Sequence, residues 1–199
     1  MYPYDRSRGQ KIGTDVLGIG IDRAFIAHFN IAAAAATAAS TAAVHAAINC
    51  STDAVEVTTA FTAPNVPRNI TATAGGTAGN IKAVQVKITG TDYNDNVITE
   101  TLPAFTVDTA GTVVGAKAFK TVTKVEIPAM DGACTVAIGY GVIFGLPYKL
   151  AHNAKLAAFL DNASDNATLA VSATALESNT MTMAGSPNGA KAIDLYLIV

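Results

Sequence analysis

IKAVQVKITGTDYNDNVITETL, Ile81 to Leu102, decides the fold class. In its first half Ile81, Ala83, Gln85 and Lys87 alternate with Lys82, Val84, Val86 and Ile88. That leaves one apolar and one mixed face, the period of a half-buried strand. TDYNDN, Thr91 to Asn96, is a cluster of turn formers. Beyond it Val97, Thr99 and Thr101 oppose Ile98, Glu100 and Leu102. Two alternating runs joined by a short polar turn predict a β-hairpin. A fixed register then puts Val84, Val86 and Ile88 on the buried face.

The same grammar extends outward. AVEVTTAFT, KAFKTVTKVEIP and CTVAIGYGVIFGLPY are Thr/Val-rich runs punctuated by Gly, Pro and Asn, so residues 53–148 predict an antiparallel β-sandwich. Within residues 149–199, KLAHNAKLAAFLDNASDN reads equally as a helix or a strand pair. ATLAVSATALE, NTMTM and, after the turn SPNG, KAIDLYLIV continue the β pattern, and this segment is expected to pack on the same domain. The apolar terminus Leu197, Ile198, Val199 is expected to be buried in a sheet or against another chain. Residues 1–52 hold an N-terminal arm, a strand-like DRAFIAHFNI and the Ala-rich run NIAAAAATAASTAAVHAAIN, Asn30 to Asn49. No Gly or Pro interrupts that run, and Ala propensity predicts one helix there. Its small side chains suit it either to cover a sheet face or to lie between a subunit and its neighbours. The fold class expected is mainly β: an antiparallel β-sandwich with an arm and a helical Ala-rich segment.

Composition narrows the function. Charged residues are 14% of the 199, against roughly 25% in typical soluble domains, and the net charge is −2. A surface so sparsely charged invites association with other chains. Seven Phe, six Tyr and no Trp mean that the core is built from Ala, Val, Ile and Leu. Phosphate binding needs clustered Lys and Arg, and the one cluster, DRSRGQK, is short and interrupted by Asp5, so no nucleic-acid partner is expected. MYPYDRSRGQKIG has no apolar region behind its basic residues, and the Ala-rich run, broken by Thr37, Ser40, Thr41 and His45, is a poor bilayer span. The expectation is a protein made without secretion and not bound to a membrane.

No motif points to chemistry. GIGID (Gly18 to Asp22) and GYGVIFG (Gly139 to Gly145) miss the G-x-G-x-x-G pattern, and glycines within strands mark bulges or close backbone approach. DYNDN starts like a calcium loop but has Val97 where the sixth-position glycine belongs and Pro103 where the twelfth-position glutamate belongs, so an Asx-rich turn is expected. His28, His45 and His152 stand in no metal-ligand spacing. Glu56, Glu100, Glu126 and Glu177 are scattered through strand-like contexts, and there is no G-x-S-x-G elbow. Catalytic, cofactor and metal residues are therefore assigned to none, and an enzyme is not expected. Cys50 and Cys134 belong to no CxxC pair. A disulfide, two thiols or one of each is open to them, and buried reduced thiols are the expectation because a chain of this length needs no staple. Tyr2, Tyr4, Arg6 and Arg8 are types enriched at interface hot spots, and Pro3 stiffens the segment. These four residues are the interface candidates, in an arm that binds a neighbouring chain.

Pro67 to Ile127 resembles a recurrent module of tailed-bacteriophage structural proteins, through PRNITAT, a strand ending ITGTD, a turn, ITETL and then KAFKTVTKV. GLPYKLAHN and the terminal DLYLIV are similar to virion proteins of the same kind. The resemblance implies a capsid decoration (cement) protein without catalytic residues, made in the host cytoplasm and placed on the capsid surface of the virion. It implies as partners a major capsid protein or other virion protein, and further copies of the chain, with a trimer favoured because icosahedral lattices offer three-fold sites. The alternative is a tail, fibre or baseplate component whose β-sandwich binds a host surface polysaccharide, with Tyr93 as the candidate aromatic contact.

Overall fold

The computed structural model describes residues 11–13, 20–22 and 25–199, and within them nearly all regular structure is strand. In chain order the strands are β1 (Lys11–Gly13), β2 (Gly20–Asp22), β3 (Ile26–Ile31), β4 (Ser40–Cys50), β5 (Val55–Val57) and β6 (Arg68–Gly76). Next come β7 (Lys87–Thr91), β8 (Val97–Thr101), β9 (Gly111–Phe119), β10 (Thr121–Ile127) and β11 (Cys134–Gly145). The last are β12 (Lys155–Leu160), β13 (Ala163–Ser164), β14 (Thr168–Ala170), β15 (Thr180–Thr182) and β16 (Ile193–Ile198). All pairings are antiparallel.

The quoted hairpin forms, but its first strand is shorter than expected: it begins at Lys87, residues 81–86 run in irregular structure, and Ile81, expected on the mixed face, is buried. β7 pairs β8 from Lys87↔Thr101 to Thr91↔Val97. Val86 and Ile88 are fully buried and Val84 packs against the same core, so the expected face is the inner one. The turn is an Asx structure: the Asp92 carboxylate accepts from the backbone N–H groups of Asn94 (2.8 Å) and Asn96 (2.9 Å). Asp95 takes the left-handed conformation there, φ 64°.

Three sheets make two cores. The sheet β5-β10-β7-β8 faces β6, β9 and the first half of β11 in a sheet ordered β14-β15-β11-β6-β9, with β4 also on β11. Between them lie Ile70, Ile88, Phe119, Val125, Val136 and Ile138 among others, an antiparallel sandwich as expected, although it also takes in Val44, Ile48 and Cys50 of β4 from outside residues 53–148. The sheet β13-β12-β16-β3 packs on the other half of β11, burying Phe144, Leu146, Met181, Ile193, Leu195 and Leu197. The segment open between helix and strand pair is thus the hairpin β12–β13, closed by a two-residue turn with Asp161 and Asn162 both at positive φ, 55° and 62°.

The Ala-rich run corrects the helix expectation. A turn at residues 33–36 leads into β4, an eleven-residue strand antiparallel to β11. Two register shifts hide its alternation. From Ile48 to His45 β4 takes three steps against two on β11, and from His45 to Ser40 five steps against two. Helix propensity separates Ala from other residues by tenths of a kcal/mol, about 0.7 at most for ordinary types. Burying Val44, Ile48 and Cys50 in the first core contributes about 1.5–3 kcal/mol for each large apolar side chain, and the sheet wins. Close approach is real but internal to the chain: a Cβ at Gly139 of β11 would overlap the backbone carbonyl of Ser40.

The junction of the two cores lies at Arg68 and Asn69. At this level both neighbours of β6 bulge: two steps along β6 match four on β9 (Val114 to Ala118) and four on β11 (Tyr140 to Phe144). Asn69, fully buried, satisfies both bulges, accepting from Ile143 N–H at 3.0 Å and donating to the Gly115 carbonyl at 2.9 Å. Arg68 donates to the Thr37 hydroxyl and carbonyl, each at 2.9 Å, and its guanidinium carbon lies 4.3 Å from the Tyr140 ring centroid and 4.6 Å from that of Phe144. Burial lowers this guanidinium to about 10, so it remains a cation at neutral pH.

Candidate interaction surface

β3 and β16 pair without a register shift from Ile26↔Ile198 to Ile31↔Ile193. Alternation sends Ile31, Ile193, Leu195 and Leu197 into the second core and turns Ile26, His28, Asn30, Asp194, Tyr196 and Ile198 to the other face. On that face the His28 and Tyr196 rings stack, centroids 4.6 Å apart and planes 7° from parallel, and Phe159 of β12 meets Tyr196 edge-on at 6.2 Å. Asp194 accepts from His28 Nε2 (2.6 Å) and Asn30 Nδ2 (2.9 Å), so its carboxylate is engaged within the sheet.

One end of this sheet is apolar and open. Phe25, Ile26, Leu156, Ile198 and Val199 are five of the eight large apolar residues most exposed among the described residues, with Ile26 70% exposed. Phe25 and Val199 exchange backbone hydrogen bonds, both 2.9 Å, which ties the terminal apolar run into the sheet and still leaves Ile198 and Val199 on the surface. The signal for this face is the alternation IAHFNI against IDLYLI, which says that Ile26, His28 and Asn30 share a side. What the sequence could not say is that strands more than 160 residues apart are neighbours.

Tyr2, Tyr4, Arg6 and Arg8 lie outside the described residues. Tyr93 is half-buried and lines a cleft of about 420 Å³ with Pro64, Asn65, Pro67 and Lys120. A second cleft, of about 340 Å³, opens at the paired bulges beside Asn69, Thr71 and Tyr140. Cys50 and Cys134 are opposite one another across β4 and β11, both buried and free. Burial, first, and then the facing thiol push Cys50 up to about 11, which keeps it a protonated thiol. Glu56, Glu126, Lys87 and Lys124 form a solvent-facing ion-pair ladder, with Lys124 2.8 Å from Glu56 and Lys87 3.2 Å from Glu126. Glu100 accepts from the backbone of Ala116 (2.7 Å) and Lys117 (3.2 Å), clamping β8 to the β9 bulge. Among the described residues no three His, Cys, Asp or Glu side chains gather as metal ligands would, and no helix is long and apolar enough to cross a membrane.

Compared with protein-family models, with curated proteins and with solved structures, the chain matches none.

Proposed function

We propose that the chain is a structural virion protein of the tailed-phage type, a decoration protein that binds a capsid surface through contacts with the major capsid protein. The observation that carries this reading is the apolar end of the β3–β16 sheet, where Ile26 and Ile198 stand exposed on the outer face and the adjacent pair Phe25 and Val199 is exposed at the same end on the other face. Contiguous exposed apolar residues mark surfaces that meet another chain. The low charge density and the motifs between Pro67 and Ile127 support the same reading. Its mechanism is mechanical: copies bridging adjacent capsid subunits add contacts that internal DNA pressure must break, and many weak contacts sum through avidity.

The test is co-sedimentation with shells assembled from a tailed-phage major capsid protein. Saturable binding to shells that is lost in Ile26→Asp/Ile198→Asp supports decoration. Absence of shell binding, or binding to tail tubes alone, overturns it. The reading of a tail or fibre module that binds polysaccharide is favoured by one feature, the placement of Tyr93 on a cleft with Asn65 and Lys120. Glycan binding that disappears in Tyr93→Ala would support it in place of decoration.

A further inference from the structure

Among the described residues nothing pairs with the outer edge of β3. The mutual hydrogen bonds of Phe25 and Val199 set the parity of the strand: Phe25, Ala27, Phe29 and Ile31 direct their backbone groups to β16, and Ile26, His28 and Asn30 direct theirs outward. Edge strands are ordinarily blunted by Lys, other charges, Pro or a bulge. IAHFNI carries none of those residues, and its pairing with β16 has no irregularity. Asp194, beside it on β16, is already held by His28 and Asn30.

We propose that β3 pairs antiparallel with β3 of a second copy about a two-fold axis at His28, so that one sheet runs through both copies. This goes beyond the virion reading and stands independently of it. The outward groups are self-complementary in one central register. Ile26 meets Asn30 of the second copy, His28 meets His28 and Asn30 meets Ile26, and every one of these is an outward-directed pair that exchanges both backbone hydrogen bonds. A shift of the axis to Ile26 or Asn30 leaves only one such pair. The exposed Ile26, opposite Asn30 of the second copy in that register, then gains cover from the neighbouring strand. The symmetry is that of an isologous dimer, not of the trimer that a three-fold capsid site would favour.

The experiment is sedimentation velocity of the full chain over a range of concentrations, with two edge variants. His28→Pro removes an outward N–H and no bond to β16, and Ile26→Lys/Asn30→Lys places charges on two exposed edge positions. The wild type is expected to reach twice the 20.3 kDa chain mass and both variants to stay monomeric with unchanged circular dichroism. A chain that remains monomeric at every concentration, forms a trimer, or keeps its dimer in both variants overturns the proposal. Should either variant misfold, His28→Cys decides. Facing residues in such a pair have Cα atoms about 5.5 Å apart, within disulfide reach. Oxidised glutathione accepts the two electrons and two protons released as the two thiols join. A covalent dimer is expected from His28→Cys, whereas Ile26→Cys alone gives none, and the reverse result refutes the two-fold at His28.

Discussion

Asn69 carries two backbone groups that the sheet itself leaves without partners, the Ile143 N–H and the Gly115 carbonyl. Each buried polar group left unpaired costs about 1–3 kcal/mol, so Asn69→Ala is expected to destabilise the fold by about 2–4 kcal/mol in urea titrations. Asn69→Asp keeps the shape but sets a carboxylate oxygen against the Gly115 carbonyl. It is expected to destabilise at neutral pH and to recover part of the loss as the carboxyl protonates and regains a donor. Asn69→Ala, which has nothing to titrate, shows no recovery, and equal pH profiles for the two would contradict the assignment. Cys50 gives a second titration. Its thiol ionises near 9.0 when exposed and near 11 in the fold, so the native state holds its proton where the unfolded chain releases it. The resulting stability is present below about pH 9 and declines as pH rises toward 11. Cys50→Val should lessen that decline, and alkylation should label two thiols without reductant, slowly in the native protein and quickly in denaturant.

β4 and β7 show why one strand could be read from the sequence and the other could not. β7 alternates over its whole length because its partner β8 follows in register after a turn whose residues name themselves, so local information sufficed. β4 is bulged twice against β11, a strand some ninety positions away, and each bulge breaks the period on which sequence reading depends. Its alanines then present only their helix propensity. The candidate surface was hidden for the same reason, since each half alternates openly and the pairing of β3 with β16 is purely tertiary. The glycines within strands were readable as sites of close approach, and they support a paired test. Gly139→Ala drives a methyl into the Ser40 carbonyl and is expected to cost about 1–3 kcal/mol by displacing β4. Gly111→Ala, at the open start of β9, meets nothing within 4 Å and is expected to be neutral or to stabilise by up to about 1 kcal/mol. Comparable losses in thermal denaturation would show that β4 does not approach β11 as described.

β11 belongs to both cores, and β6, which lines the first, reaches the second through Arg68, so the molecule's cooperativity is a consequence of the bulged junction. Ile138 of β11 fills the first core and Phe144, six residues on, fills the second. Between them Arg68 lies over the rings of Tyr140 and Phe144 and reaches Thr37, joining the turn before β4 to both cores. A cavity on one side should therefore be felt on the other. Phe144→Ala removes a fully buried ring and one of the two faces against which the guanidinium packs, at an expected cost of about 3–5 kcal/mol. Native-state hydrogen exchange separates the alternatives. If the shared strands couple the cores, the slowest amides of β7 and β10 lose as much protection as those of β12 and β16, because all exchange through one global opening. Loss confined to β12, β16 and β3 would mean that the second core opens alone, with the β4–β11–β6 sandwich persisting beneath it.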